Sequence, residues 1–295
     1  MSDRFELEWM GGVAEHHFHK ARPGVDDFAW DTLDPARFSE AAVIAARNVW
    51  TDVAHSEYVA IAAFSDVVAA LTLAKAPLDL IGMTGDFLAD EARHVELASR
   101  LVMQLGGAAL RAFEPERLSP RLSPDLTPFQ RANELALRIG CIAEVYAGGT
   151  AAPMMRTTTH PLVRSVYASI LRDEARHKRF GSLYFEWAGE RLDDAERERL
   201  ARVALSTLAS YAPLWRKFMR LTPGTTDVVV DTRSFLRDEE VYALGWVPPV
   251  QYVPLALSVV RDQIVPGLRA IGIALPQAEV EALLGCGDDG RGRSD

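Results

Sequence analysis

One pentapeptide, Asp-Glu-Ala-Arg-His, stands twice in the chain, at 90–94 and at 173–177. In each copy a glutamate and a histidine lie three residues apart, Glu91 with His94 and Glu174 with His177. On a helix that spacing puts both side chains on one face, so each pair can aim a carboxylate and an imidazole at a common point. The residues at helical spacing around them are largely apolar: Phe87, Leu88, Val95, Ala98 and Val102 around the first pair, Tyr167, Ile170, Leu171 and Gly181 around the second. An ionisable group on such a stripe is destined for burial, which is costly unless it is paired or bound to a metal. Two such pairs need one further carboxylate from each of two more helices. Glu57, flanked by Trp50, Val53, Ala54, Ala60, Ile61 and Phe64, and Glu144, flanked by Leu137, Gly140, Cys141, Ala147, Gly148 and Ala151, answer that requirement.

Four carboxylates and two neutral imidazoles make a hard ligand set suited to two iron ions, with manganese as the alternative. Asp90 and Asp173 each precede a ligand histidine by four residues, and a metal-bound histidine donates its second N–H to a carboxylate. Both aspartates are therefore expected behind the ligands, facing across the site rather than along their own helices. Arg93 and Arg176 could close the network, or be plain surface ion pairs of little worth.

The elements that must carry these residues read as helices, with almost no strand alternation. The first long one runs from Ser39, a plausible N-cap, to Lys75, stopped by Pro77; the second runs from Leu78 to Leu105, ended by Gly106 and Gly107. A Pro-rich connection follows, longer than usual between helices. The third covers Phe129–Arg156, disturbed near its end by Pro153, and the fourth Leu162–Ala188. A fifth spans Asp194–Leu221, a short helical patch Ser234–Leu244, and a last helix Tyr252–Ile271. The expected layout is an N-terminal extension at 1–38, a bundle at 39–221, further helices packing on it at 222–284 and a flexible tail at 285–295.

With this layout the set Glu57, Glu91-x-x-His94, Glu144, Glu174-x-x-His177 resembles the ferritin-like di-iron carboxylate superfamily. Its Asp-Glu-x-Arg-His form is like the motifs of acyl-carrier-protein desaturases and of bacterial hydrocarbon monooxygenase hydroxylase subunits. The resemblance covers about residues 39–190. It implies an all-α, ferritin-like four-helix bundle with a long crossover connection and additional C-terminal helices. It also implies two iron ions that activate O2. Arylamine N-oxygenases of this superfamily carry a further His ligand on the fourth helix. Here Ile170 stands one turn before Glu174 and that helix has no His besides His177, which points away from that branch.

Small residues crowd the third helix. Gly140, Ala147, Gly148 and Ala151 share the Glu144 face, and in a helix glycine costs about 1 kcal/mol relative to alanine. Either they leave open volume for O2 and a substrate, walled by Cys141, Phe64, Phe87 and Ile170, or they let helices approach closely. The remaining histidines receive ordinary readings: His16, His17 and His19 lie in an apparently irregular extension as surface or lid residues, His55 faces away from Glu57, and His160 sits in a turn. Tyr58 and Tyr146 fall off the ligand faces, leaving Tyr167 and Tyr184 as the tyrosines of the fourth helix.

Composition narrows the partners. A net charge of −9 without a Lys/Arg-rich run excludes a nucleic-acid footprint and a face for anionic membranes. The N-terminus lacks a secretory pattern and no run of about eighteen apolar residues occurs, so a cytoplasmic protein that does not enter the membrane is expected. The two cysteines, Cys141 and Cys286, form no Cys-x-x-Cys pair. That rules out a disulfide framework or an iron centre of the rubredoxin type, and leaves the supply of electrons to an external donor. A homodimer is the default assembly. The expected activity is oxidation of a small or carrier-tethered organic substrate by O2, through hydroxylation, desaturation or N-oxidation. The alternatives are a ferroxidase or manganese-catalase-like protein handling metal or peroxide, and a fold that keeps metal only as a staple.

Overall fold

The structure is a computed structural model and describes residues 4–219 and 238–284. It is all-helical. After α1 (Gly12–Ala21) come α2 (Glu40–Leu73) and α3 (Leu78–Gln104), packed along each other. The third bundle position is one rod in three parts: α4 (Pro128–Leu135), a π-helical segment (Ala136–Ala143) and α5 (Glu144–Thr157). The fourth is α6 (Pro161–Ala188). Outside these lie α7 (Asp194–Met219), α8 (Asp238–Ala243), α9 (Pro249–Val259), a second π segment (Val260–Ile264), α10 (Val265–Ala270) and α11 (Gln277–Leu284).

The helix ends follow local chemistry. Ser39 Oγ accepts from the Ala42 N–H and starts α2. Thr127 and Gln130 form a reciprocal capping box with Pro128 at the first helical position, which starts α4. Gly106 and Gly107, at φ +97° and +103°, adopt the left-handed backbone that ends α3. The connection at 105–127 that follows carries a single 3-10 turn, Pro115–Arg117. By length and composition α2 could cross a membrane, but it carries Glu57 at mid-length and packs against α3 and α4.

Two apolar clusters fill the bundle. One centres on Phe64, Phe87, Leu137, Ile142, Phe180 and Tyr184, and extends to Trp215 of α7 and Val259 of α9. The other centres on Trp50, Leu97, Leu101, Val163, Val166 and Tyr167. Each of the helices α2, α3 and α6 supplies both clusters, and the acidic and histidine residues of the motifs sit on the turns between them. α8 and the turn after it are tied on by Ser39 Oγ donating to Glu240 (2.7 Å), Trp50 Nε1 to the Leu244 carbonyl (3.0 Å) and Tyr167 OH to the Gly245 carbonyl (2.5 Å).

Two expectations change. The N-terminal extension is not irregular: it contains α1, which pattern could not reveal because the helix is short and buries no residue. Next to it, Phe5 donates its backbone N–H to the Arg111 carbonyl at 2.9 Å. The third bundle helix is interrupted by eight π-helical residues immediately before Glu144, and Pro153 lies within α5 without ending it. The expected tail at 285–295, the end of the fifth helix at 220–221 and the start of the helical patch at 234–237 lie outside the described residues.

Candidate metal centre

The helices α2, α3 and α6 present their acidic residues from the turns between the two apolar clusters, and Glu144 opens α5 among residues of the first. The result is one interior site of six side chains in two overlapping groups: Glu57, Glu91, His94 and Glu174, and Glu91, Glu144, Glu174 and His177. Within each group the candidate donor atoms lie within 4.8 Å of one another. Glu91 and Glu174 belong to both. Both imidazoles use the same nitrogen: His94 Nδ1 is 3.6, 3.5 and 3.5 Å from Glu57, Glu91 and Glu174, and His177 Nδ1 is 3.0, 3.4 and 3.6 Å from Glu91, Glu144 and Glu174.

The opposite nitrogens face the motif aspartates across the site. His94 Nε2 lies 3.4 Å from Asp173, and His177 Nε2 lies 3.3 Å from Asp90. Arg93 is buried and donates to Ser169 Oγ at 2.9 Å and to Asp173 at 3.4 Å. Arg176 is half exposed and donates to Asp90 at 2.9 Å and Asp173 at 3.2 Å. On the apolar side, Phe87 lies 4.1 Å and Phe64 5.6 Å from His177 between ring centroids.

The donor set fits metal ions on a direct observation. Glu91 Oε1 and Oε2, Glu174 Oε2, His94 Nδ1 and His177 Nδ1 are buried and have no hydrogen-bond partner. His177 Nδ1 is close to Glu91 Oε1, yet the pair is out of line for a hydrogen bond. Buried polar atoms are normally satisfied, and five unsatisfied atoms converging on one point fit a set of metal ligands. The electrostatics agree. Burial pushes Glu57 up to about 7, and burial with the nearby Glu144, Glu91 and Glu57 holds Glu174 well above its ordinary value. His177 is carried up to about 12 against its burial by Asp90, Glu144 and Glu91, and His94 is likewise raised by Asp173, Glu57 and Glu91. Protein groups alone crowd four carboxyl groups around two imidazoles; divalent cations in that position invert the balance.

Of the two readings of the small-residue face of the third helix, close approach describes Gly140. A Cβ at Gly140 would lie 2.7 Å from Phe180 Cδ1 and 3.0 Å from Gly181 Cα, so Gly140 serves close approach of the π segment to α6. Cys141 is packed against Gly181 in the same contact, and burial pushes its thiol up to about 12. The space beside Gly148 is taken by the Lys178 side chain, half-buried near Glu174 and Glu144, which burial moves below its ordinary range. Ala147 is exposed, and Ile170 and Ala151 belong to the second apolar cluster. A cavity of about 410 Å³ lies elsewhere, between the segment carrying Leu7, Trp9 and Phe18 and the faces of α2 and α3 at Tyr58, Ile61, Val95 and Ser99.

Residues 83–229, about half of the chain, match the family model of p-aminobenzoate N-oxygenase AurF. The chain belongs to this ferritin-like family of di-iron oxygenases. It is an O2-dependent di-iron oxidoreductase. No curated protein matches it. The match corrects the expectation drawn from Ile170: lack of a further histidine on α6 does not separate this chain from the N-oxygenases. At that position the structure has a buried apolar side chain and no substitute ligand.

One contributor to the site escaped the motifs: Arg22, at the end of α1, donates to Asp90 at 2.8 Å. Outside the site, His19 ties α1 to α3, lying 3.1 Å from the buried Glu96. The pairing of an early basic residue with an acid at 86–96 leaves no periodic trace. The histidines near the N-terminus were the only signal, and His16 and His17 are exposed. His55 stacks edge-on against Phe5 at 4.9 Å, Tyr184 donates to Asn133 and Tyr146 meets Tyr252, all away from the cluster.

Proposed function

We propose that the chain is an arylamine N-oxygenase whose centre is held by Glu57, Glu91, His94, Glu144, Glu174 and His177. The observation that carries this is the six-residue cluster with its orphaned donors, four of its six residues being the two repeated pairs inside the segment that matches the N-oxygenase family. Glu91 and Glu174, common to both groups, would serve both ions; Glu57 with His94 and Glu144 with His177 would complete the two ends. Two iron ions held there supply reductive activation of O2. Asp173 and Asp90 fix each ring with Nε2 outward and Nδ1 inward, so the inward nitrogen is kept free to bind. Phe64 and Phe87 exclude water on the His177 side. Glu57, whose side chain keeps 17% exposure against 8% or less for the other five, is the edge at which a substrate can arrive.

The overall conversion is ArNH2 + O2 + 2 e− + 2 H+ giving ArNHOH and water, the electrons coming from an external donor. The test is a reaction of the iron-loaded, reduced chain with ¹⁸O2 and p-aminobenzoate as probe amine. One ¹⁸O on the product nitrogen is expected. Oxygen on ring carbon would replace N-oxygenation with hydroxylation, and iron oxidation with no organic product would favour the ferroxidase reading.

A further inference from the structure

Arg22 lies outside the segment that matches the family and outside both repeated motifs, yet it touches the support of one half of the centre and not the other. Its Nε donates to Asp90 Oδ1 at 2.8 Å, while its terminal nitrogen donates to the Asp86 carboxylate at 2.6 Å and the Asp86 carbonyl at 2.9 Å. Asp90 is 1% exposed, and its other oxygen faces His177 Nε2. Asp173 does the same for His94 but, among the described residues, is held only from α3 and α6, by Arg93 at 3.4 Å and Arg176 at 3.2 Å.

We propose that Arg22 is a positioning residue for the His177 half of the centre, so that docking of α1 sets the affinity of one metal position and not of its twin. This rests on the reading of the cluster as a di-iron centre. The Arg22 bond fixes one oxygen of Asp90, which holds the other against His177 Nε2 and keeps Nδ1 turned toward Glu91, Glu144 and Glu174. Without it, Asp90 is left to Arg176, which also serves Asp173. A charge-assisted bond to a buried carboxylate is strong enough to matter, and outer partners of ligand histidines typically set metal affinity over a range of about 10–100-fold. α1 has a second anchor in His19 and Glu96, so removing the guanidinium need not undock the helix.

The full-length chain and its Arg22→Ala, Arg22→Lys and His19→Ala variants would be titrated anaerobically with Fe(II) against a competing chelator, with Mössbauer spectra at one and two equivalents. In Arg22→Ala the first iron should bind as in the unaltered chain and the second about ten-fold more weakly, with only one of two quadrupole doublets displaced. Arg22→Lys should recover part of the loss, and His19→Ala should leave both affinities in place. In an Asp90→Asn background Arg22→Ala should add nothing. Unchanged affinities in Arg22→Ala, equal weakening of both irons, or additivity with Asp90→Asn would each overturn the proposal; should Arg22→Ala fail to fold, unaltered doublets in Arg22→Lys do so. Failure of the unaltered chain to take up iron would sink the functional reading, and the proposal with it, and is seen before any variant is compared.

Discussion

Around His94, the outer nitrogen meets Asp173 at 3.4 Å, and Asp173 is reached from within the bundle by the buried Arg93 and by Arg176. Around His177 the outer nitrogen meets Asp90 at 3.3 Å, and Asp90 is gripped at 2.8 and 2.9 Å by Arg22 and Arg176. The two halves of the cluster are thus near-copies in their side chains and differ in how those side chains are braced. The likeness comes from the repeated Asp-Glu-Ala-Arg-His, whose internal spacing places carboxylate, imidazole and crossing aspartate together on each helix. The difference comes from what is not repeated: α1 reaches α3 and its Asp90, and no element reaches Asp173 in the same way among the described residues. Ligand identity is a property of the motif, and ligand support a property of the neighbourhood.

The comparison breaks most visibly at the shared carboxylates. Glu91→Ala should cost both irons and at least about 100-fold in turnover, because Glu91 serves both groups. Glu57→Ala should retain close to one iron, held by the His177 end; metal analysis of the two variants side by side checks this, and two irons in Glu91→Ala would end the idea of a common bridge. Next in size, Asp90→Asn and Asp173→Asn should each weaken one metal by about 10–100-fold, with the larger loss at the more firmly braced Asp90. Equal weakening of both irons by either variant would erase the distinction between halves.

The smallest effects concern the rod behind Glu144. Gly140→Ala forces a methyl to 2.7 Å from Phe180, beside the His177 end, and should cost about 1–3 kcal/mol in denaturant unfolding. Gly148→Ala meets only the flexible end of Lys178, which can swing aside, so its cost should be under about 1 kcal/mol. Gly148→Leu then asks the functional question: loss of amine oxidation with iron retained would put substrate on that face, and unchanged oxidation would leave it to packing.

The sequence carried the four bundle helices and six converging residues because burial forces periodicity: Glu57, Glu91, Glu144 and Glu174 each sit on an apolar stripe, and only a charged group with a purpose survives there. It carried the crossing aspartates through their fixed offset from His94 and His177. The π segment was illegible because Ala136–Ala143 has the apolar pattern of an ordinary helix, and a change of backbone hydrogen-bond register writes no residue type. π segments recur near functional sites, and this one ends at Glu144. The small residues left two readings open for a related reason: Gly140 and Gly148 record that something must come close, and composition does not say whether it is Phe180, a lysine or a substrate. Arg22 was beyond reach because a lone arginine after a short surface helix looks like any other until its partner is known.

The most direct test of the central claim is the iron content of the chain loaded anaerobically with Fe(II), read with Mössbauer spectroscopy before and after mixing with O2. The account predicts two high-spin Fe(II) per chain in two inequivalent environments, both oxidised together by O2. One iron per chain, or two that oxidise independently, would contradict a shared centre bridged by Glu91 and Glu174.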